Sequence, residues 1–131
     1  MEESKKILII EDNEAVAKLL CRFLEKNGYQ VKWVPNGLQG FNETRRIHPD
    51  LIILDLLLPD MDGHKVCHMI KSDRVLEKIP VTILTSRDTE EDAELAKKCG
   101  ANAFVVKTTR LPILLDVIRR LLKKSSEEDN Q

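Results

Sequence analysis

Apolar residues are distributed along this chain in two alternating patterns, which predict two kinds of element. Five short runs are rich in β-branched and other aliphatic residues and are closed by polar residues, proline or glycine. Such runs are typical of β-strands and are too short to be independent helices. The predicted strands cover residues 6–10, 29–34, 51–54, 79–84 and 103–106.

The segments between these runs carry apolar residues at three- and four-residue spacing, which is the repeat of one helical face. The first stripe runs from Val16 to Leu24, and Asn27 and Gly28 after it favour a helix end. The predicted helices include residues 16–24, 38–47, 66–70, 87–98 and 111–122. The fourth helix has only a thin stripe of small apolar residues, so we expect it to pack loosely.

Strands that alternate with helices through short loops indicate βαβ units with right-handed crossovers. The predicted fold is therefore doubly wound α/β, with a five-stranded parallel sheet, five helices and the flavodoxin-like strand order 2-1-3-4-5. Residues 51–54 are continuously apolar, as expected for a strand buried on both faces. We expect one domain over residues 1–124 and a polar, disordered tail over residues 125–131.

Composition and charge exclude several classes of function. Lysine and arginine number 21 against 22 acidic residues, and the basic residues are scattered, so we expect no direct binding to nucleic acid or to membranes. No apolar run approaches the roughly 20 residues that span a bilayer, and the amino terminus lacks a signal peptide's apolar core. We expect a cytoplasmic protein whose three cysteines, Cys21, Cys67 and Cys99, are reduced and structural.

Polar residues whose side chains can take part in a reaction follow four of the predicted strands. Glu11 and Asp12 follow the first, Asp55 the third, Thr85 the fourth and Lys107 the fifth. These ends share one edge of a parallel sheet, where α/β proteins bind their ligands. Crowded carboxylates repel each other unless a cation intervenes, and oxygen ligands suit Mg²⁺. The set predicts phosphoryl transfer to Asp55, with the acidic pair holding the metal.

These residues give the chain a specific family resemblance. Over about residues 5–124 it resembles the receiver (phosphoacceptor) domain of bacterial two-component response regulators. The resemblance rests on Glu11, Asp12, Asp55, Pro59, Asp62, Gly63, Thr85, Phe104 and Lys107, which occur in the family's order and at suitable spacing.

The resemblance implies a phosphorylation-dependent signalling module with no separate turnover substrate. Asp55 would take a phosphoryl group from a sensor histidine kinase or a histidine phosphotransfer protein, and the phosphorylated protein would engage an unidentified downstream protein. Mg²⁺ would be held by Glu11 or Asp12, by Asp55 and by the backbone carbonyl of Leu57. Thr85 would move toward the phosphate while Phe104 turns inward.

Further site residues are also implied by the resemblance. Ser86 and Lys107 would contact the phosphoryl group, and Leu57 and Arg87 occupy positions that tune dephosphorylation. The chain departs from the family pattern at Thr108, where proline is usual. A cis peptide before a residue other than proline costs about 3 to 4 kcal/mol, so we expect a trans bond between Lys107 and Thr108.

Other interpretations of these residues stay open at this point. Glu11 and Asp12 could cap the first helix. The whole set could belong to a receiver-like scaffold that is never phosphorylated, or to a phosphohydrolase of the haloacid-dehalogenase type. That hydrolase class needs an acid two residues after its nucleophile, where this chain has Leu57. His64, Cys67 and His68 have metal-like helical spacing, but no fourth zinc ligand is evident.

Overall fold

The computed structural model describes residues 4–129. Five strands alternate with five helices in the order β1 (Lys6–Ile10), α1 (Glu14–Lys26), β2 (Gln30–Val34), α2 (Gly37–Ile47), β3 (Leu51–Leu54), α3 (Gly63–Lys71), β4 (Val81–Thr85), α4 (Glu90–Lys98), β5 (Ala103–Val106) and α5 (Leu111–Asp129). All neighbouring strands pair in parallel, in the order β2-β1-β3-β4-β5. The predicted fold class and strand order are confirmed.

The sheet separates two apolar layers, because successive side chains of a strand point to opposite faces. In β1, Leu8 and Ile10 pack on the layer formed with α3 and α4, whereas Ile7 and Ile9 pack on the layer formed with α1 and α5. All four residues of β3 are buried. The central strand is therefore fixed on both faces, and its carboxyl end is held rigidly at the sheet edge.

Two of the predicted boundaries that differ from the structure are explained by local chemistry. The fourth strand begins at Val81 instead of residue 79, since Pro80 has no N–H to donate to a neighbouring strand. The fourth helix begins at Glu90 instead of residue 87, because the Thr89 side chain accepts a hydrogen bond from the Asp92 amide and caps the helix there.

The prediction of a disordered tail from residue 125 is wrong for the residues that the structure describes. α5 continues through Ser125 to Asp129. Leu122 is buried, and Ser125 and Glu128 line a small cavity together with Pro80, so this part of the helix lies against the body of the domain. Once a helix is nucleated, each added residue contributes a hydrogen bond. Residues 130 and 131 lie outside the described part of the chain.

Among the described residues, none of the helices has both the length and the apolar content to cross a membrane.

Candidate functional site

The candidate site lies where the central strands end. Asp55 directly follows β3, and its backbone N–H donates to the Ile10 carbonyl at 3.0 Å, which places it beside the end of β1. Glu11 directly follows β1, and its backbone N–H donates to the Val34 carbonyl at 3.1 Å. Both side chains are buried, with 5% of Asp55 and 3% of Glu11 exposed. The ladder thus holds two carboxylates side by side in a poorly hydrated position.

Three carboxylates meet at this edge, as predicted. Glu11, Asp12 and Asp55 each bring one oxygen within 4.8 Å of the others, and Asp12 forms the exposed side of the group. The Lys107 ammonium lies 2.5 Å from Glu11 Oε1 and 3.4 Å from Asp55 Oδ2. One ammonium group therefore faces two buried carboxyl groups. Asp55 Oδ1 is buried and has no hydrogen-bond partner.

The charges in this cluster shift one another's proton affinities. Burial and then the adjacent Asp55 carboxyl together raise the pKa of Glu11 to about 7, although the Lys107 ammonium acts in the opposite direction. Burial alone would lower the pKa of Lys107, but the Glu11 and Asp55 carboxylates outweigh it and hold that pKa above its ordinary value. The raised pKa of Glu11 means that the Lys107 ammonium does not fully offset the burial of this carboxyl and its closeness to Asp55.

The donor set fits Mg²⁺. Closely spaced carboxylate oxygens are hard ligands, and the unpartnered Asp55 Oδ1 is free to accept a cation. Asp12 leaves one side open to solvent, as Mg²⁺ requires for its water ligands. Within residues 4–129, no second group of three histidine, cysteine or acidic side chains comes this close, and His68 is exposed, so the alternative zinc site has no support.

The capping interpretation of the acidic pair is also not supported. The side chain that caps α1 is Asn13, which accepts a hydrogen bond from the Val16 amide at 3.1 Å. Glu11 instead pairs with Lys107, and its backbone carbonyl accepts a hydrogen bond from the Trp33 indole at 2.6 Å.

Thr85 and Lys107 lie next to each other across the last two strands. The Lys107 backbone N–H donates to the Thr85 carbonyl at 2.7 Å, which aligns the end of β5 with that of β4. The Thr85 hydroxyl is buried and accepts a hydrogen bond from the Arg87 backbone N–H at 3.2 Å, whereas Ser86 is exposed. No cis peptide bond occurs in residues 4–129, so the Lys107–Thr108 bond is trans as expected.

The remaining predicted site residues lie around this centre. Leu57 is 47% exposed, and its backbone forms an isolated bridge with Asp62 that closes the loop after Asp55. Arg87 is exposed, but its guanidinium binds a carboxylate of α4. Phe104 is half-buried in β5 and lines a cavity of about 190 Å³ between β5 and α4.

Gly63 allows the loop after Asp55 to turn back tightly. Its N–H donates to the Leu56 carbonyl at 2.8 Å, and a Cβ at this position would lie 2.2 Å from the Asp55 carbonyl oxygen and 2.7 Å from Leu56 Cα. Both obstacles are backbone atoms, which cannot move without displacing Asp55.

We expect Gly63→Ala to lower the free energy of unfolding by about 1 to 3 kcal/mol or more, since overpacking usually costs this much. Urea denaturation followed by far-UV circular dichroism measures this. Gly37→Ala is the matched control, because its Cβ would meet only side chains, those of Met61 at 2.6 Å and Val66 at 2.9 Å, which can shift without displacing the backbone. Equal costs for the two variants would contradict the backbone clash.

The sequence analysis missed three residues that shape the site. Asp60 accepts hydrogen bonds from the Gly37 and Leu38 amides at 2.8 and 2.9 Å, which ties the loop after Asp55 to the start of α2. Trp33 binds the Glu11 carbonyl, and Asp92 is a buried carboxylate in α4. An acidic residue in a loop or in a helix's first turn is ordinary, so the sequence carried no signal for these contacts.

Residues 7–119 match the family described as the response regulator receiver domain. The polar-differentiation response regulator DivK of Brucella ovis is 33% identical over 119 residues, which cover 91% of this chain and 97% of DivK. The transcriptional regulatory protein YclJ of Bacillus subtilis is 35% identical over 119 residues, and the match spans only 51% of YclJ.

Solved structures agree with this match. The signal receiver domain of a signal transduction histidine kinase from Syntrophus aciditrophicus superposes with a TM-score of 0.87 at 36% identity, and the match covers 92% of each chain.

Proposed function

The chain belongs to the family of response regulator receiver domains, and on that basis we propose that Asp55 accepts a phosphoryl group from a histidine kinase or a histidine phosphotransfer protein. Receiver domains are signalling domains of two-component systems and have no separate turnover substrate. The observation that carries the proposal is the free, buried Asp55 Oδ1 beside two further carboxylates and the Lys107 ammonium. Mg²⁺-dependent uptake of one phosphoryl group from acetyl phosphate tests it.

In the proposed reaction, Asp55 acts as the nucleophile. A carboxylate oxygen forms a bond to phosphorus while the bond from phosphorus to the donor's imidazole nitrogen breaks, and the leaving imidazole keeps the electron pair. Asp55 suits this role because Oδ1 has no competing hydrogen bond and the backbone around it is fixed by β1 and β3. The Lys107 ammonium lies 3.4 Å from Asp55 Oδ2, on the side of the carboxylate away from the free oxygen.

Several groups around Asp55 would each neutralise or bind part of the negatively charged phosphoryl group. Glu11, Asp12, Asp55 and the Leu57 carbonyl would hold Mg²⁺, which would neutralise phosphoryl oxygens during transfer. Lys107 is the protein cation at the site and would bind a phosphoryl oxygen once Asp55 no longer carries the free charge. The Thr85 hydroxyl would donate to another oxygen, and the exposed Ser86 would contact the group beside it.

We further propose that the face formed by α4, β5 and α5 engages the downstream protein. Only Asp92 and Ala96 of α4 are buried, so few apolar contacts anchor this helix. A weakly anchored helix opens and moves more readily than its neighbours. Phe104 links this face to the site, since it lies in β5 two residues before the end of the strand.

Amide hydrogen exchange should change most in α4 and β5 when beryllium fluoride and Mg²⁺ are added as a phosphoryl mimic. Asp55→Asn is the control, since it lacks the carboxylate that the mimic needs. A response confined to α1 and α2 would overturn the assignment of this face.

The phosphorylated state should be long-lived, because little around Asp55 can align an attacking water. The side chain of Leu57 has no hydrogen-bonding group, and Arg87 offers donors but no acceptor. We expect the phosphorylated Leu57→Asn and Arg87→Glu variants to lose the phosphoryl group several-fold faster than the parent. The increase in hydrolysis rate should stay below the about 100-fold that a good general base contributes.

Decay of the phosphorylated protein measures this lifetime, in excess chelator and again with Mg²⁺ after donor removal. Leu57→Ala is the matched control because it removes bulk and adds no polar group. If Leu57→Asn decays no faster than Leu57→Ala under both conditions, water alignment does not set the lifetime.

Partners beyond these classes are not specified by the chain. Receiver domains interact with histidine kinases and with downstream effectors, and the chain spans about half the length of YclJ. The process that the protein regulates would be set by the downstream effector with which the receiver domain interacts.

A further inference from the structure

Asp92 is a buried carboxylate outside the phosphoacceptor site, with 1% of the residue exposed. Its two oxygens receive the Arg87 guanidinium in a fork, at 3.0 Å from Nε and 2.9 Å from Nη2. The Thr89 hydroxyl donates to Oδ2 at 2.8 Å. His64 Nε2 of α3 lies 3.7 Å from Oδ1. A carboxylate with so many partners is a fixed point between α3, α4 and the loop of residues 86–89.

The same arginine also binds the proposed switch residue. The Arg87 backbone N–H donates to the Thr85 hydroxyl at 3.2 Å, while its side chain binds Asp92. Arg87 therefore connects the Thr85 hydroxyl to α4 in an unbroken series of hydrogen bonds. Within residues 4–129, no hydrogen bond joins the Thr85 side chain to Asp55. Rotation of the hydroxyl about χ1 to a new partner would break its bond to Arg87.

We propose that Asp92 is a positioning residue that, through Arg87, holds the Thr85 hydroxyl and residues 86–89 in the unphosphorylated conformation. The inference rests on the proposed function, since it assigns Thr85 a phosphoryl ligand to move toward. The fork between a guanidinium and a buried carboxylate is directional and charge-assisted, so it resists the loop movement that Thr85 needs. The bound phosphoryl group has to overcome this restraint, so the free energy needed to break the fork reduces the net free energy of phosphoryl binding.

Release of the restraint should therefore strengthen the binding of a phosphoryl mimic. Asp92→Asn loses the negative charge and has an NH₂ donor in place of one fork oxygen, so one of the two guanidinium N–H groups faces a donor and the fork is broken. Its apparent affinity for beryllium fluoride with Mg²⁺ should rise by roughly 5-fold, the lower end of the about 5- to 150-fold range typical of coupled sites. Arg87→Ala should raise the affinity similarly, because it removes the guanidinium and keeps the amide that binds Thr85. The double variant should gain little beyond either single variant, since both break one link.

Thr89→Ala is the matched control for a merely structural role. It removes the cap of α4 and one hydrogen bond to Asp92, and it should cost about 1 kcal/mol of stability. The fork between Arg87 and Asp92 stays, so the affinity for beryllium fluoride should remain within about 2-fold of the parent's, well below the about 5-fold expected for a broken link.

The experiment titrates beryllium fluoride at saturating Mg²⁺, follows Trp33 fluorescence, and measures amide exchange at Arg87 with no ligand present. The proposal expects tighter binding and faster Arg87 exchange in Asp92→Asn than in Thr89→Ala. It is overturned if the two variants behave alike, or if Asp92→Asn leaves Arg87 exchange at the parent's rate. Failure of the proposed function would appear separately, as a parent protein that binds no beryllium fluoride while the exchange difference at Arg87 persists.

Discussion

Asp55→Asn should take up no phosphoryl group from acetyl phosphate under conditions in which the parent protein takes up one. The amide cannot carry the negative charge of a nucleophilic carboxylate, and it leaves two carboxylates at the site where the parent has three. The fold should survive, because Asp55 is held mainly by its backbone N–H bond to Ile10, which the substitution keeps.

Intact-mass spectrometry with thermal unfolding of the same samples separates these effects. Asp116→Asn, an exposed change in α5 with the same chemistry, is the control and should be phosphorylated like the parent. If Asp55→Asn gains one phosphoryl group from the same donor, a different residue is the nucleophile.

Lys107→Ala should still bind Mg²⁺ and should lose the coupling between phosphorylation and conformational change. The ammonium lies between Glu11 and Asp55 and competes with a cation for the same two charges. Its removal should tighten Mg²⁺ binding by about 5-fold, the equivalent of the about 1 kcal/mol with which unit charges about 4 Å apart interact in water. With no cation of its own to bind the phosphoryl group, the domain should show little exchange response in α4.

Trp33 fluorescence is a suitable probe for the Mg²⁺ titration, since the indole donates to the Glu11 carbonyl. The control is Lys124→Ala, which removes an exposed lysine far along α5. Loss of Mg²⁺ binding in Lys107→Ala, or an unchanged exchange response in α4, would refute the assigned role of the lysine.

The sheet and the carboxylate cluster of Glu11, Asp12 and Asp55 could be predicted from sequence because their signals are local. A continuous apolar run such as residues 51–54 identifies a central strand, and the residue after it must lie at the sheet edge. Parallel pairing then brings the ends of separate strands together. Ile10 and Leu54 pair across β1 and β3, so the residues that follow them, Glu11 and Asp55, become neighbours. This needs no knowledge of side-chain contacts.

The contacts that sequence reasoning missed depend on tertiary placement. Asp60 lies in a loop and binds the start of α2. Asp92 becomes buried only because the first turn of α4 faces Arg87 and His64. The helical extension of α5 past residue 124 depends likewise on how that helix lies against the sheet. A polar residue gives the same local pattern whether it is solvated or paired, so its partner could not be inferred.

The most direct test of the central claim is to map phosphorylation on the parent protein. The chain is incubated with acetyl phosphate in Mg²⁺ or in excess chelator, reduced with borohydride to convert an acyl phosphate into an alcohol, and digested for peptide mass spectrometry. The account predicts one modified residue, Asp55, and modification only with Mg²⁺. Modification at another residue, or equal modification of Asp55 in chelator, would contradict it.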